Sequence, residues 1–287
     1  MPVEEGTKLF YTVMGTGTPI LILHGGPGLD HSYLLPQMAK LSGQYKLIFY
    51  DQRGTGRSGG SVDTESITLD KFIDDVEGVR ASFNLDKVNL LGHSWGAMLA
   101  MLYAMKYPGH VHSLILADCS GASAEYLRQG NGIQKGRLTE SERLVIATLT
   151  QMDTFKNRTP ETMEEYFRIL FRATFFDKKL VDSLTLAFTD ATARNVITIG
   201  QLLFRGMENF DYHKQLSAIT CPTLIIHGSG DAVPVEAALK IHKRIRNSQL
   251  VILQRSGHFP FIESPAEFFK AISDFLGRAE GPAAALE

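Results

Sequence analysis

The stretch Lys87-Val88-Asn89-Leu90-Leu91-Gly92-His93-Ser94-Trp95-Gly96-Ala97 holds a short apolar run, a serine bracketed by glycines, and the start of a helix. Val88 to Leu91 reads as a strand buried on both faces: a continuous apolar run ending at a turn signal leaves no polar face for water. From about Trp95 to Lys106 the chain reads as a helix, stopped at Tyr107-Pro108-Gly109. Similar runs lie on either side. Ile20 to Leu23 ends at His24-Gly25-Gly26-Pro27-Gly28, and Tyr45 to Tyr50 ends at Asp51-Gln52-Arg53-Gly54-Thr55-Gly56. Ser113 to Ala117, Thr223 to Ile226 and Leu250 to Leu253 follow, and Lys8 to Val13 adds a first candidate strand. Helical patterns separate them. In Thr68 to Asn84, for example, Leu69, Phe72, Ile73, Val76, Val79 and Phe83 share one face. The alternation predicts an α/β fold, a mostly parallel central sheet with helices on both faces.

From about Ser120 to Leu216 this rhythm stops. No convincing strand occurs there, and Glu161 to Thr174 is amphipathic, with Met163, Tyr166, Phe167, Leu170 and Phe171 on one side. Connections in α/β units are normally short, so the region reads as a mainly helical cap inserted between two core strands. The expected organisation is a core of residues 1–119 and 217–280, a cap at 120–216, and a vector-derived tail at 281–287, where Ala283-Ala284-Ala285-Leu286-Glu287 has the look of an expression scar.

The chain has 287 residues, 44% hydrophobic and 21% charged, as expected of a soluble globular protein with room for a large core. A net charge of -2 with no long run of one sign points away from nucleic acid and from anionic membrane surfaces. Cys119 and Cys221 are too few for a disulfide framework, and no Cys/His cluster signals structural zinc, so both are expected as reduced thiols. No secretory leader is read, and the apolar stretch at Pro19 to Leu23 is far too short to span a bilayer, so the default expectation is a cytoplasmic protein.

Gly92-His93-Ser94-Trp95-Gly96 matches G-x-S-x-G between a strand and a helix, the setting of a nucleophile elbow. Such a sharp turn lifts the serine Oγ above the sheet edge, and side chains two before and two after it would collide, hence Gly92 and Gly96. Ala97, Ala100 and Ala104 let the helix approach the sheet. Its N-terminus places N–H groups near a developing oxyanion. A serine needs a base, and chain order after an elbow runs serine, acid, histidine. His258, in Ser256-Gly257-His258-Phe259-Pro260 after the last strand, is therefore the candidate base. Asp231, ending His227-Gly228-Ser229-Gly230-Asp231, is the favoured acid, with Asp118 after the Ser113–Ala117 strand as its rival. The backbone N–H groups of Trp95 and Gly26 are the candidate oxyanion donors, and the glycines of the His24–Gly28 loop allow close approach of substrate.

His24-Gly25-Gly26-Pro27-Gly28, Asp51-Gln52-Arg53-Gly54-Thr55-Gly56-Arg57-Ser58 and Gly92-His93-Ser94-Trp95-Gly96 together resemble the proline iminopeptidase branch of the α/β-hydrolases, and Gly228-Ser229-Gly230-Asp231 and Gly257-His258 complete the likeness. It spans about Leu9 to Leu276. The resemblance implies an α/β-hydrolase fold with a helical cap between its sixth and seventh strands, and no metal or organic cofactor. It also implies a serine hydrolase releasing N-terminal proline or other residues from small peptides or amides. Carboxylesterase or lactonase activity is the enzymatic alternative, and a ligand receptor that keeps the triad without turnover is the alternative of another class. A serine at the elbow sets aside the carboxylate-nucleophile epoxide hydrolases and dehalogenases of the same fold. Some relatives carry a glutamate directly after the triad aspartate; here the position is Ala232. Glu161, Glu164, Glu165 and Glu208 are then the cap candidates for an ammonium group, Glu208 first, with Gly25 as a second substrate contact. Phe171, Phe175, Phe176 and Phe204 are candidates for an apolar pocket. The Asp51–Gly56 loop is expected to pin neighbouring loops rather than to carry chemistry.

Overall fold

The apolar runs of the inner strands are covered on both faces and need no polar alternation. The computed structural model describes residues 1 and 7–279, so the tail expected at 281–287 lies outside the described residues. The strands are β1 (Tyr11–Met14), β2 (Thr18–Leu23), β3 (Tyr45–Tyr50), β4 (Val88–His93), β5 (Val111–Ala117), β6 (Thr223–Gly228) and β7 (Ser248–Leu253). They form one sheet in the order β1-β3-β2-β4-β5-β6-β7, with β1 antiparallel to β3 and every other pairing parallel. Every residue of β4 and β6 is buried, whereas edge strand β1 alternates exposed and half-buried. β1 starts later than its sequence pattern, because Lys8 O and Phe10 N bond to Gly59 N and Ser58 Oγ instead of to a strand.

Successive side chains of a strand point to opposite faces, and the core divides accordingly. Leu21, Ile48, Leu90, Leu114 and Ile225 pack with helices α1 (Leu69–Ser82) and α2 (Trp95–Lys106). Ile20, Ile22, Phe49, Leu91, Ile115 and Ile226 face the other way, toward Phe268, Ile272 and Phe275. Thr68 caps α1 by accepting from Lys71 N.

Between β5 and β6 run helices α3 (Ala124–Gly136), α4 (Glu140–Gln151), α5 (Pro160–Arg172) and α6 (Asp190–Leu203). Among the described residues this stretch has no strand, only one antiparallel bridge between Ser123 and Asp211. The insertion therefore follows the fifth strand, not the sixth as the resemblance implied, since β1 alone precedes β2 among the described residues. Helices α7 (Val235–Arg244) and α8 (Pro265–Ala279) complete the core, and Phe268, Ile272 and Phe275 belong to α8. Helix α6 is fastened onto two loops at the strand ends. Thr192 Oγ1 donates to Asp30 Oδ2 at 2.8 Å and accepts from Gly56 N at 3.0 Å, while Asn195 Nδ2 donates to Gly54 O at 2.7 Å. Gly28, at φ +98°, lies so close to Val196 of α6 that a Cβ would stand 2.7 Å from its backbone. Among the described residues no helix is long and apolar enough to cross a membrane.

Candidate active site

At the end of β4 the chain turns into α2 within one residue. Ser94 sits at φ 58° and ψ -120°, a left-handed conformation that a non-glycine residue adopts only under constraint. The constraint is visible on both sides of the turn. Ser94 N donates to Ala117 O of β5 at 2.9 Å, extending the sheet into the turn. A Cβ on Gly92 would lie 2.3 Å from Gly96 O, and one on Gly96 would lie 2.1 Å from Leu23 O of β2. Both glycines are thus required by backbone proximity, Gly92 across the turn itself and Gly96 against the neighbouring strand. Ala97, Ala100 and Ala104 are buried along the helix face.

Ser94 Oγ lies 2.9 Å from His258 Nε2, and His258 Nδ1 lies 2.8 Å from Asp231 Oδ2. A carboxylate only accepts, so Nδ1 carries the proton and Nε2 is left to accept from the serine. The other Asp231 oxygen accepts from Val233 N at 3.2 Å. Burial pushes the Asp231 carboxyl up, but the charge and hydrogen bond of His258, together with His227 and the Val233 N–H, outweigh it and leave the group below the usual carboxylate range. Asp118 makes no bond to His258. Its Oδ1 accepts from Gly228 N at 2.9 Å, and a side-chain hydrogen bond links it to Asp231. Oxygens of Asp118 and Asp231 lie within 4.8 Å of each other. Two carboxylates that close and that buried do not both ionise. Burial and the Asp231 charge push Asp118 well above the usual range, so it stays protonated behind the charged Asp231.

The loop carrying His258 is held from the cap side. His258 N donates to Thr174 O at 3.0 Å, and Glu263 accepts from Gly257 N at 2.6 Å, Phe176 N at 2.8 Å and Asp177 N at 3.1 Å. Arg137, just past α3, donates to Gly230 O and Asp231 O at 2.8 and 3.1 Å. Neither Glu263 nor Arg137 belongs to a motif, and no local pattern could have found them. The Asp51–Gly56 loop pins its neighbours as expected. Asp51 accepts from His31 Nδ1 and Arg57 N, Arg53 pairs in two-pronged fashion with Asp75, and Gln52 Oε1 accepts from the Trp95 indole. His24 Nε2 accepts from Gln52 N, which makes it a loop-shaping residue and not a base.

Ser94, His258, Asp231 and Gly26 line one cavity of about 140 Å³ under the cap helices. Neither Gly26 N nor Trp95 N donates to a protein acceptor among the described residues. Gly26, at φ +126°, has no room for a side chain, whose Cβ would lie 2.6 Å from Gly28 N. Gly25 N is already engaged with Tyr33 Oη at 2.7 Å. Glu208 is not brought to the cavity. It is exposed, and its carboxylate turns back to accept from Gly206 N at 3.2 Å, because the chain there leaves α6 on the outer side. Glu164 accepts from Phe188 N, and neither it nor Glu161 nor Glu165 lines the cavity. Of the four phenylalanines only Phe171 does so. Phe175 stacks on Phe259, Phe204 packs edge-on against Trp95, and Phe176 is exposed. Among the described residues Asp231 is the one carboxylate in the cavity wall, and beside Ser94 and His258 the remaining polar side chains are those of Ser120, Asn131, Gln134 and Thr174. Cys119 and Cys221 are buried free thiols, pushed up to about 12 and about 11 by burial.

Residues 18–265 match the family model described as the alpha/beta hydrolase fold. Among curated proteins, the chain is 32% identical to a proline iminopeptidase of Saccharolobus solfataricus, over 96% of this chain and 92% of that protein. It is 31% identical to a proline iminopeptidase of Heyndrickxia coagulans, over 91% of each. Among solved structures, VinJ superposes with a TM-score of 0.75 at 23% identity, covering 97% of both chains, a likeness of fold.

Proposed function

The chain belongs to the α/β-hydrolase fold family and is a serine hydrolase of the proline iminopeptidase kind, and we propose that it releases the N-terminal residue from small peptides and amides by acyl transfer through Ser94. One observation carries this reading: the unbroken hydrogen-bonded line from Ser94 Oγ through His258 to Asp231 opens into a small covered cavity. In the first step Ser94 Oγ attacks the carbonyl carbon while His258 Nε2 takes its proton. Asp231 keeps the imidazole oriented and stabilises its charge. The carbonyl oxygen becomes an oxyanion that receives the Gly26 and Trp95 N–H groups, a contribution of about 10²–10³ in rate per donor. His258 then returns the proton to the departing amine as the C–N bond breaks. Water, deprotonated by His258, hydrolyses the acyl-enzyme and restores Ser94.

A cavity of about 140 Å³ suits one small residue rather than an extended chain. On this reading the substrate amine meets neutral oxygens. Gln134 Nε2 already donates to Leu170 O at 3.0 Å, which leaves its Oε1 to accept. The same wall supports a second reading. With Asp231 its only carboxylate among the described residues and Ala232 beside it, the cavity also suits uncharged acyl groups, as a carboxylesterase or lactonase requires. A buried ammonium without a partner is costly, so the two readings separate on substrate. Prolyl and alanyl p-nitroanilides assayed beside simple p-nitrophenyl esters decide between them. Cleavage of the anilides supports the aminopeptidase, and ester turnover with no aminoacyl anilide cleaved rejects it in favour of the esterase. Loss of all turnover after a fluorophosphonate modifies Ser94 is expected under both.

A further inference from the structure

His93, the residue before the nucleophile, is almost wholly buried and belongs to none of the steps above. Its Nδ1 lies 2.7 Å from Tyr33 Oη, and its Nε2 lies 2.7 Å from the carbonyl oxygen of His258. Tyr33 Oη is in turn 2.7 Å from Gly25 N. The chemistry of the two ends settles every proton between them. A peptide N–H can only donate, so Tyr33 Oη accepts from Gly25 and has its single proton left for His93 Nδ1. A carbonyl can only accept, so His93 Nε2 carries a proton and donates it to His258 O. The line is fully satisfied only with His93 neutral.

Its two ends and its middle touch the three loops that the reaction needs. Gly25 precedes Gly26, His93 precedes Ser94, and the last acceptor is the backbone of the base. We propose that Tyr33 and His93 form a positioning relay that holds the oxyanion loop, the nucleophile turn and the His258 loop in register. Burial, and the proximity of His258, hold His93 down at about 3, so it adds no second positive charge when His258 takes the serine proton. The His93 and His258 ring centroids are 5.0 Å apart, close enough for such a charge to oppose the imidazolium. Phe259 and Phe261 pack against the His93 ring at 5.5 and 5.1 Å and keep water from replacing the relay.

The relay rests on the Ser94 reading, and the test keeps the two apart. The parent, Tyr33→Phe, His93→Leu and His93→Gln are titrated to completion with a fluorophosphonate. Their kcat and KM on p-nitrophenyl acetate are then expressed per titrated Ser94. A misplacement of reacting groups lowers kcat while ground-state binding survives. Tyr33→Phe is expected to lose about tenfold in kcat per titrated site, with KM within about twofold. His93→Leu, which breaks both bonds, is expected to lose more. His93→Gln, whose amide nitrogen can still donate toward His258 O, recovers part of that loss. Tyr33→Phe with kcat per titrated site within twofold of the parent, altered only in melting temperature or in titratable fraction, overturns the relay even if the His93 variants do not fold. A parent that forms no Ser94 adduct overturns the catalytic reading and the relay with it.

Discussion

Replacing Asp231 with asparagine tests the assignment of the acid, and the partners of its two oxygens decide which way the amide must sit. The two oxygens of Asp231 serve different donors, Val233 N at 3.2 Å and His258 Nδ1 at 2.8 Å. An asparagine has one oxygen and one NH₂ for these two positions. If the oxygen stays with Val233, the NH₂ confronts His258 Nδ1 and forces it to accept, so the ring proton moves to Nε2 and the serine proton has nowhere to go. If the amide flips, NH₂ meets the Val233 N–H and that bond is lost inside a buried site. The first orientation wins because it leaves no donor facing a donor. A wrong-tautomer base of this kind costs about 10⁴ in kcat, or about 5 kcal/mol of transition-state stabilisation. Asp118→Asn is the matched control. Asp118 is already neutral, its bond to Gly228 N survives in an amide, and the new NH₂ can replace its proton in the hydrogen bond to Asp231. Less than about a fivefold loss is expected there, under about 1 kcal/mol. Steady-state rates on p-nitrophenyl acetate, normalised to titrated Ser94, measure both. Asp231→Asn retaining more than a tenth of the parent kcat, or Asp118→Asn falling equally far, would refute the assignment.

Gly96→Ala should fail to yield folded protein, since its Cβ would stand 2.1 Å from Leu23 O and 2.7 Å from His24 O; Gly132→Ala, in an open position of α3, should leave the melting temperature unchanged or raise it, with a gain of up to about 1 kcal/mol. Glu263→Gln turns an NH₂ against one of the three backbone donors it now accepts, Gly257 N included, and about 1–3 kcal/mol should be lost in chemical denaturation. Glu77 gives a pH signature remote from the active site. Partial burial pushes its carboxyl up, but hydrogen bonds from Arg80, Tyr103 and His110 outweigh this and hold it at about 2, against an ordinary 4.5. Because the folded value is depressed, the stability it confers is present above pH 4.5 and is lost as pH falls toward 2. Between those values the parent should lose of order 1 kcal/mol, after solvent screening, that Glu77→Gln does not lose.

The elements legible in the sequence are those whose cause is local. Continuous apolar runs announced β2 to β6 because each is covered on both faces, edge strand β7 is announced by its apolar run although only Leu253 of it is buried, and the glycine spacing around Ser94 announced the turn because both collisions it avoids are with backbone. The start of β1 is not legible locally, because Lys8 to Phe10 carry strand-like residues whose backbone bonds go to Gly59 and Ser58, partners far along the chain. Glu208 lies near the return of the chain to the core, but its direction is set by the Gly206 turn, and that points it to solvent. The neutral helical side of the cavity likewise arises from α3 and α5 meeting over the sheet edge, α3 contributing Asn131 and Gln134 and α5 contributing Phe171.

By itself the sequence determined an α/β sheet, a serine raised at the end of one strand, and a histidine after the last strand, because strand burial and turn sterics act over a few neighbouring residues. Only the tertiary structure decided which of two aspartates faces that histidine. Asp118 and Asp231 end adjacent strands and lie side by side, and the choice falls to which carboxylate oxygen comes within 2.8 Å of His258 Nδ1. The fold also assembled the line from Gly25 through Tyr33 and His93 to His258, whose members are far apart in the chain and meet only where β2, β4 and β7 end at the same edge of the sheet.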